Sequence, residues 1–390
     1  MQKDFWRNIK NYKVLKKIRL KLSGGIVHLS PRGKASGNVL ISYITLPFVV
    51  SDRVLNAHTN RWECREIVNI FFEKGYAVDI IDWTNTTFIP KKKYAYFLDI
   101  HSNMERLAPL LNKDCIKILH LTTSYWKFQN DAEQKRLLDL KVRRGVSLLQ
   151  QRRIAPSRAT DYADFISLLG NKVTEDTYNI PKGKITRIPL STTHTYTSPI
   201  NKDFEAARKN FIWFGGSGMV HKGLDLVLEA FVGMPEYHLT VFGKVANEKD
   251  FVEVYKKELY ETPNIKVVGP IDPGSTEFQE ICASSVALIY PSCSEGQSGA
   301  VITTMHTGLI PIISEHSGVD VEDFGIILKD SSIKEIQNAV RKIEALPIIE
   351  LRSRAMKAWQ YAQKNHTRER FSSAYRMFID TLEKYKEQHV

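Results

Sequence analysis

The sequence predicts an α/β protein of two domains, each built on a doubly wound parallel sheet. Three observations carry this expectation. Short apolar runs of strand length alternate with longer amphipathic segments along most of the 390 residues, as repeated βαβ units do. The alternation is interrupted by a polar, turn-prone stretch, residues 191–210, with Pro199 inside it, which reads as an interdomain linker. Two strands of the second half run directly into glycine-rich turns that open helices, where ligands gather in open α/β sheets.

The elements follow in order. Residues 3–22 can be drawn as a helix, with Phe5, Ile9, Tyr12, Leu15, Ile18 and Leu22 on one side and Lys3, Arg7, Lys10, Lys13, Lys17 and Lys21 on the other. They belong to a basic arm, residues 1–35, with ten Lys or Arg against one acid, Asp4, so most of the net charge of +12 sits there. Such a helix either docks on an anionic membrane surface or packs on its own domain with a solvated basic face. The rest of the chain is close to neutral, which argues against nucleic acid as a partner.

The first sheet domain spans residues 36–195. Strands are expected at 38–44, 78–83, 94–100, 116–121, 163–169 and 184–190, helices at 61–74 and 131–149, and a strand or turn at 153–157. The second domain spans 196–368. Its strands are expected at 211–214, 238–242, 265–268, 286–290, 309–313 and 325–328, and its helices at 224–232, 298–307 and 333–346. Residues 350–385 read as helical, and 369–390 form a C-terminal helix.

Composition narrows the setting. No apolar run reaches the length of a membrane span, and the longest, 39–50, contains Ser42, Thr45 and Pro47. The N-terminal region lacks the pattern of a signal peptide. Cys64, Cys115, Cys282 and Cys293 show no metal-ligand spacing, so reduced thiols in a cytoplasm are expected. The basic arm leaves room for a peripheral place at the inner membrane face.

Two segments carry chemistry. Pro291-Ser-Cys-Ser-Glu-Gly-Gln-Ser-Gly299 lies between a buried strand and a helix N-terminus, where free amides and the helix dipole favour a phosphate. Glu295 is then expected to bind something other than the anion, such as sugar hydroxyls. Gly215-Gly-Ser-Gly-Met-Val-His-Lys-Gly223 follows another strand. Its glycines allow close backbone approach, and Lys222 offers a compact charge for a diphosphate. A cation there opposes the dipole of the following helix, so a bound anion is expected beside it. The spacing fits neither a P-loop nor a GxGxxG fingerprint.

Taken in order, these motifs over residues 210–330 resemble the donor half of GT-B glycosyltransferases, closest to the retaining family 4. The resemblance rests on Gly216, Lys222 and Gly223, and on Pro291, Ser292, Glu295, Gly296, Met305, Gly308 and Pro311. Two positions depart from the family pattern: Ser217 stands for a usual Arg, and Thr303 for a second Glu that holds the ribose.

The resemblance implies a GT-B fold whose C-terminal helix crosses back to the first domain. It implies sugar transfer from a UDP- or GDP-type nucleotide sugar to a hydroxyl acceptor, a glycan or lipid-linked oligosaccharide of cell-surface polysaccharide synthesis. Configuration would be retained, with no cofactor and no metal. His101 and Glu295 would be catalytic. Gly216, Ser217, Lys222, Glu295, Gly296, Gln297, Ser298, Gly299 and Thr303 would bind the donor, and His58 and Arg61 the acceptor. The alternatives are a GT-B epimerase or hydrolase, and a decayed transferase serving as an adaptor. Among other groups, Glu133 and Arg136 can pair at i, i+3, the basic clusters Arg143-Arg144 and Gln151-Arg152-Arg153 either meet an acidic acceptor or form a solvated face, and His120 reads as a core histidine. Cys293 lacks the companions of a nucleophile.

Overall fold

A computed structural model of the chain describes residues 18–23, 25–181 and 183–389. Two sheets organise it. The first has eight strands: β1 (Ile18–Ser23), β2 (Ile26–Pro31), β3 (Asn38–Tyr43), β4 (Ala77–Asp82), β5 (Tyr96–Asp99), β6 (Ile116–Leu121), β7 (Phe165–Leu169) and β8 (Ile185–Ile188), in the order β1-β2-β4-β3-β5-β6-β7-β8. The second has six: β9 (Asn210–Phe214), β10 (His238–Phe242), β11 (Ile265–Gly269), β12 (Ala287–Tyr290), β13 (Ile310–Ser314) and β14 (Ile326–Leu328), in the order β11-β10-β9-β12-β13-β14. Its pairs are all parallel, and its order is that of a dinucleotide-binding sheet. Parallel strands buried on both faces need continuous apolar sequence, and Ala287–Tyr290 and Ile310–Ser314 are buried at every position.

The N-terminal reading needs correction. A helix over 3–22 is incompatible with β1, which pairs antiparallel with β2 from Ile18↔Pro31 to Ser23↔Ile26. Residues 3–17 lie outside the described residues. The segment Ile18-Arg-Leu-Lys-Leu22 alternates apolar and charged residues with period two, a strand signal that the helical drawing overrode. β2 adds antiparallel to β4, where His28 Nδ1 lies 2.8 Å from Asp79, which also accepts from Tyr94 Oη at 2.6 Å.

α1 (Thr59–Glu73) covers the first sheet. α2 (Trp126–Arg144) leaves β6 of the first sheet, and its later turns place Leu137 and Leu140 in the apolar core of the second domain. Arg143 bonds Asp225 at 2.6 Å and Glu229 at 3.2 Å, and Arg144 lies 4.6 Å from the Tyr255 ring. These arginines are therefore neither a solvated face nor a place for an acidic acceptor: they staple the first domain to the second. α2 also ends earlier than expected, at Gly145, whose φ of +73° caps it.

The long C-terminal helical stretch breaks at His366, giving α6 (Ile348–Asn365) and α7 (Arg368–His389) after α3 (Leu224–Val232), α4 (Gly299–Met305) and α5 (Ile333–Glu344). α7 lies against the first domain. Phe371, Tyr375, Phe378, Ile379 and Leu382 join its core, and Lys74 bonds Asp380 and Glu383, each at 2.6 Å. His120 is a buried core histidine between Tyr43 and Tyr375, bonded to Ser167 Oγ at 2.8 Å. Among the described residues, no helix is long and apolar enough to cross a membrane.

Candidate active site

The order of the second sheet reverses between β9 and β12. The loops leaving the C-terminal ends of these strands therefore flank a crevice. Residues 215–223 run from β9 into α3, and residues 291–298 run from β12 into α4. Gly223 joins them. Its φ is +70°, and a Cβ there would stand 2.7 Å from Pro291 O, so only glycine fits.

At this join Lys222 and Glu295 meet. The Lys222 ammonium is buried and donates to Tyr290 Oη at 2.9 Å and to Glu295 Oε1. Glu295 Oε1 accepts as well from Tyr290 Oη at 2.8 Å and Ser292 Oγ at 3.1 Å. The local sequence around Lys222 predicts a bound anion beside it, with Glu295 apart. Here the carboxylate itself is that anion, because two buried opposite charges cost far less paired than separate. Burial alone would raise the Glu295 pKa, but the Lys222 charge, helped by His221 and Arg152, outweighs it and holds the carboxyl at about 2. Burial would lower Lys222, yet Glu295 keeps it above its ordinary value. Both groups stay charged at neutral pH.

The amides expected to cradle phosphate are partly engaged. The Ser298 amide donates to Ser317 O at 3.0 Å, so it is not free, and Gln297 Oε1 accepts from the Leu190 amide at 2.8 Å. The amides of Gly218 and Met219 donate to the buried Glu248 carboxylate. Gly216 and Ser217 remain exposed, with open space around Gly216. Thr303 is buried within α4, four residues past its start at Gly299.

The first domain grips the Glu295 loop. Ser124 Oγ donates to Glu295 O at 2.6 Å, Thr174 Oγ1 to Gly296 O at 2.8 Å, and Arg136 to Pro291 O at 2.8 Å. Glu133 does not pair with Arg136. It accepts from the Gln151 and Arg152 amides at 3.0 Å and lies 3.8 Å from His221 Nδ1.

His221 lies in the same glycine-rich loop, where no local sequence pattern marks it. It is buried, with Nε2 2.6 Å from Ser294 O and Nδ1 3.6 Å from Cys293 Sγ. Burial would lower its pKa, but Cys293, Glu133 and Glu295 outweigh that and lift it to about 9. A histidine raised from 6.5 contributes its stabilisation in full below about pH 6.5 and loses it as pH rises through about 9. The melting temperature should therefore fall between pH 6.5 and 9. A His221→Gln variant should lose most of that slope in a thermal-shift series, whereas an unchanged slope would remove His221 from the clamp.

The other candidates make local contacts. His101 follows β5, its ring packs on Trp83 at 5.6 Å, and burial lowers its pKa, with Glu105 of its own domain opposing. Its amide donates to Asp99 at 3.2 Å. His58 caps α1 by accepting from the Asn60 amide at 3.3 Å, and Arg61 donates to Val54 O at 2.6 Å. Both side chains thus serve local structure. Nothing in their spacing separated that role from acceptor binding.

Comparison with known proteins agrees with this architecture. Residues 208–345 match the family model described as glycosyl transferases group 1. No curated protein matches the chain. Solved structures with the same fold include sucrose-phosphate synthase from Thermosynechococcus elongatus (16% identity, TM-score 0.59, 90% of this chain and 99% of that one). Another is the Anabaena protein HepE in complex with UDP and glucose (11% identity, TM-score 0.57, 89% of this chain and 100% of that one). A third is WaaG, a glycosyltransferase involved in lipopolysaccharide biosynthesis (15% identity, TM-score 0.53, 87% and 99%). The chain spans only 55% of the length of TarM from S. aureus. The two parallel α/β domains have the GT-B fold of these structures.

Proposed function

We propose that this chain moves a hexose from a nucleoside-diphosphate sugar, of UDP or GDP type, to a hydroxyl of a glycan or lipid-linked acceptor, with retention and without a metal, as in family 4. The observation that carries this reading is the buried Lys222–Glu295 pair, set by Tyr290 and Ser292 at the switch point of the second sheet. The structural likeness to HepE holding UDP and to WaaG supports a UDP-type donor and a glycan or lipid-linked acceptor.

In the reaction, the bond between the anomeric carbon and the terminal diphosphate oxygen breaks, and the electron pair leaves with the diphosphate. The acceptor oxygen bonds the same face of that carbon, and its proton passes to a leaving phosphate oxygen. Charge grows on the diphosphate as this happens. Lys222 and protonated His221 are fixed cations in a dry site, where such groups stabilise growing charge most. Glu295, ionised far below neutrality, accepts hydrogen bonds from donor-sugar hydroxyls on its outer side. An intact charged pair weighs against the adaptor reading.

The test is transfer from a panel of UDP- and GDP-sugars, with and without EDTA, for the wild type and Glu295→Gln. The wild type should turn over at least one donor in EDTA. Glu295→Gln should keep nucleoside-diphosphate affinity and lose at least tenfold in kcat, because the carboxylate acts on the sugar rather than the phosphates. Wild-type turnover by this variant would remove Glu295 from the chemistry.

A further inference from the structure

Lys222 is already committed to Glu295, and His221 to Ser294 O and Glu133. A diphosphate brings at least two negative charges, so this site needs a cation that is not spent. Arg136 uses one terminal nitrogen on Pro291 O. Arg152 has a buried Nε with no hydrogen-bond partner.

The placement of Arg152 is built with some care. It lies in the irregular segment after α2, where a side chain would ordinarily be free to wander. Yet its backbone is clamped on both sides. Its amide donates to both Glu133 oxygens, at 3.0 and 3.1 Å, and its carbonyl accepts from Gln129 Nε2 at 2.7 Å. Glu133 and Gln129 are 1% and 2% exposed. Two buried polar side chains thus fix the backbone of this residue.

That orientation lays the side chain on the glycine-rich loop. Its Cγ lies 2.6 Å, and its Cδ 3.0 Å, from where a Cβ on Gly218 would stand. A side chain at 218 would evict the arginine. The guanidinium acts electrostatically on both Lys222 and Glu295. It reaches them from the segment that follows a first-domain helix, whereas the loop belongs to the second domain.

We propose that Arg152 is a donor-binding residue that takes the diphosphate against the 215–223 loop, supplying the unspent charge beside the paired Lys222. This rests on the nucleotide-sugar reading above and assigns it a further contact. A planar guanidinium suits it, since two parallel N–H groups match two oxygens of one phosphate.

Calorimetry with UDP, UMP, GDP, GMP and inorganic pyrophosphate separates the outcomes. Arg152→Ala should weaken UDP or GDP and pyrophosphate at least tenfold, and the matching monophosphate by less than threefold. Arg152→Lys should recover part of the loss, since the charge returns without the fork. The melting temperature of both variants should stay near that of the wild type, because the clamp acts through the backbone. Equal diphosphate affinity in wild type and Arg152→Ala overturns the proposal while leaving the nucleotide-sugar reading intact. A fall in melting temperature with mono- and diphosphate weakened alike also overturns it, assigning Arg152 a structural role. No binding of any of these probes by the wild type defeats the underlying reading first.

Discussion

Lys222→Ala should lower sugar transfer by at least a hundredfold and destabilise the fold at the same time. The two losses have one cause. The Glu295 side chain is only 12% exposed and is held ionised by the ammonium 73 residues earlier in the chain. Removing one partner of a buried pair strands the other, at a cost of about 3–5 kcal/mol. Glu295 would respond by taking up a proton, its pKa climbing from about 2 as burial goes unopposed. A protonated Glu295 is a poorer acceptor for sugar hydroxyls, and the leaving diphosphate has lost a fixed charge.

The double variant Lys222→Met/Glu295→Gln separates these effects. It removes both charges and keeps the volume, so stability should return to within about 1–2 kcal/mol of the wild type, while turnover stays at the level of Lys222→Ala. Chemical denaturation read beside kcat makes the measurement. Restored turnover in the double variant would falsify a chemical role for the pair and leave it a structural one.

Much of this architecture is legible in the chain, for a physical reason. The strands of the second domain are buried on both faces and so are apolar throughout. Val286-Ala-Leu-Ile-Tyr290 shows this, and its observed strand begins one residue later. Helix α3 is bounded by Gly223 and Gly233, which its apolar run cannot extend past. The N-terminal hairpin was not legible, because Ile18–Leu22 fits both a two-residue and a 3.6-residue repeat, and the basic residues before it favoured the longer pattern. The reach of α2 was overestimated because Val146, Leu148 and Leu149 continue its apolar content past Gly145. What holds residues 150–157 instead is a set of tertiary hydrogen bonds to Asn130, Gln129 and Glu133. The Lys222–Glu295 contact was hidden for the same kind of reason. Each residue stood out by its local motif, but local pattern carries no information on which loop of a sheet meets which. Strand order does, and β9 beside β12 brings the two loops together.

Gly296→Ala should produce the other large loss, through geometry alone. A Cβ on residue 296 would stand 2.5 Å from Thr122 O and 2.6 Å from Leu169 O, at the ends of β6 and β7 of the first domain. These are backbone atoms of a packed sheet, so they cannot rotate away as a side chain could. Ordinary contact needs about 3.4 Å, so the Glu295 loop and the first domain must part by about 1 Å. A shift of that size at a reacting centre can cost roughly a hundredfold in rate. The bonds from Ser124 to Glu295 O and from Thr174 to Gly296 O, at 2.6 and 2.8 Å, would lengthen together. The Lys222–Glu295 pair lies within the second domain and should survive, so nucleoside-diphosphate affinity should change far less than kcat. Hydrogen exchange at residues 295–299 should rise as the first domain lifts away. If Gly296→Ala instead turns over donor within threefold of the wild type, the first domain does not press on this loop during the reaction, and the catalytic arrangement is a more open one.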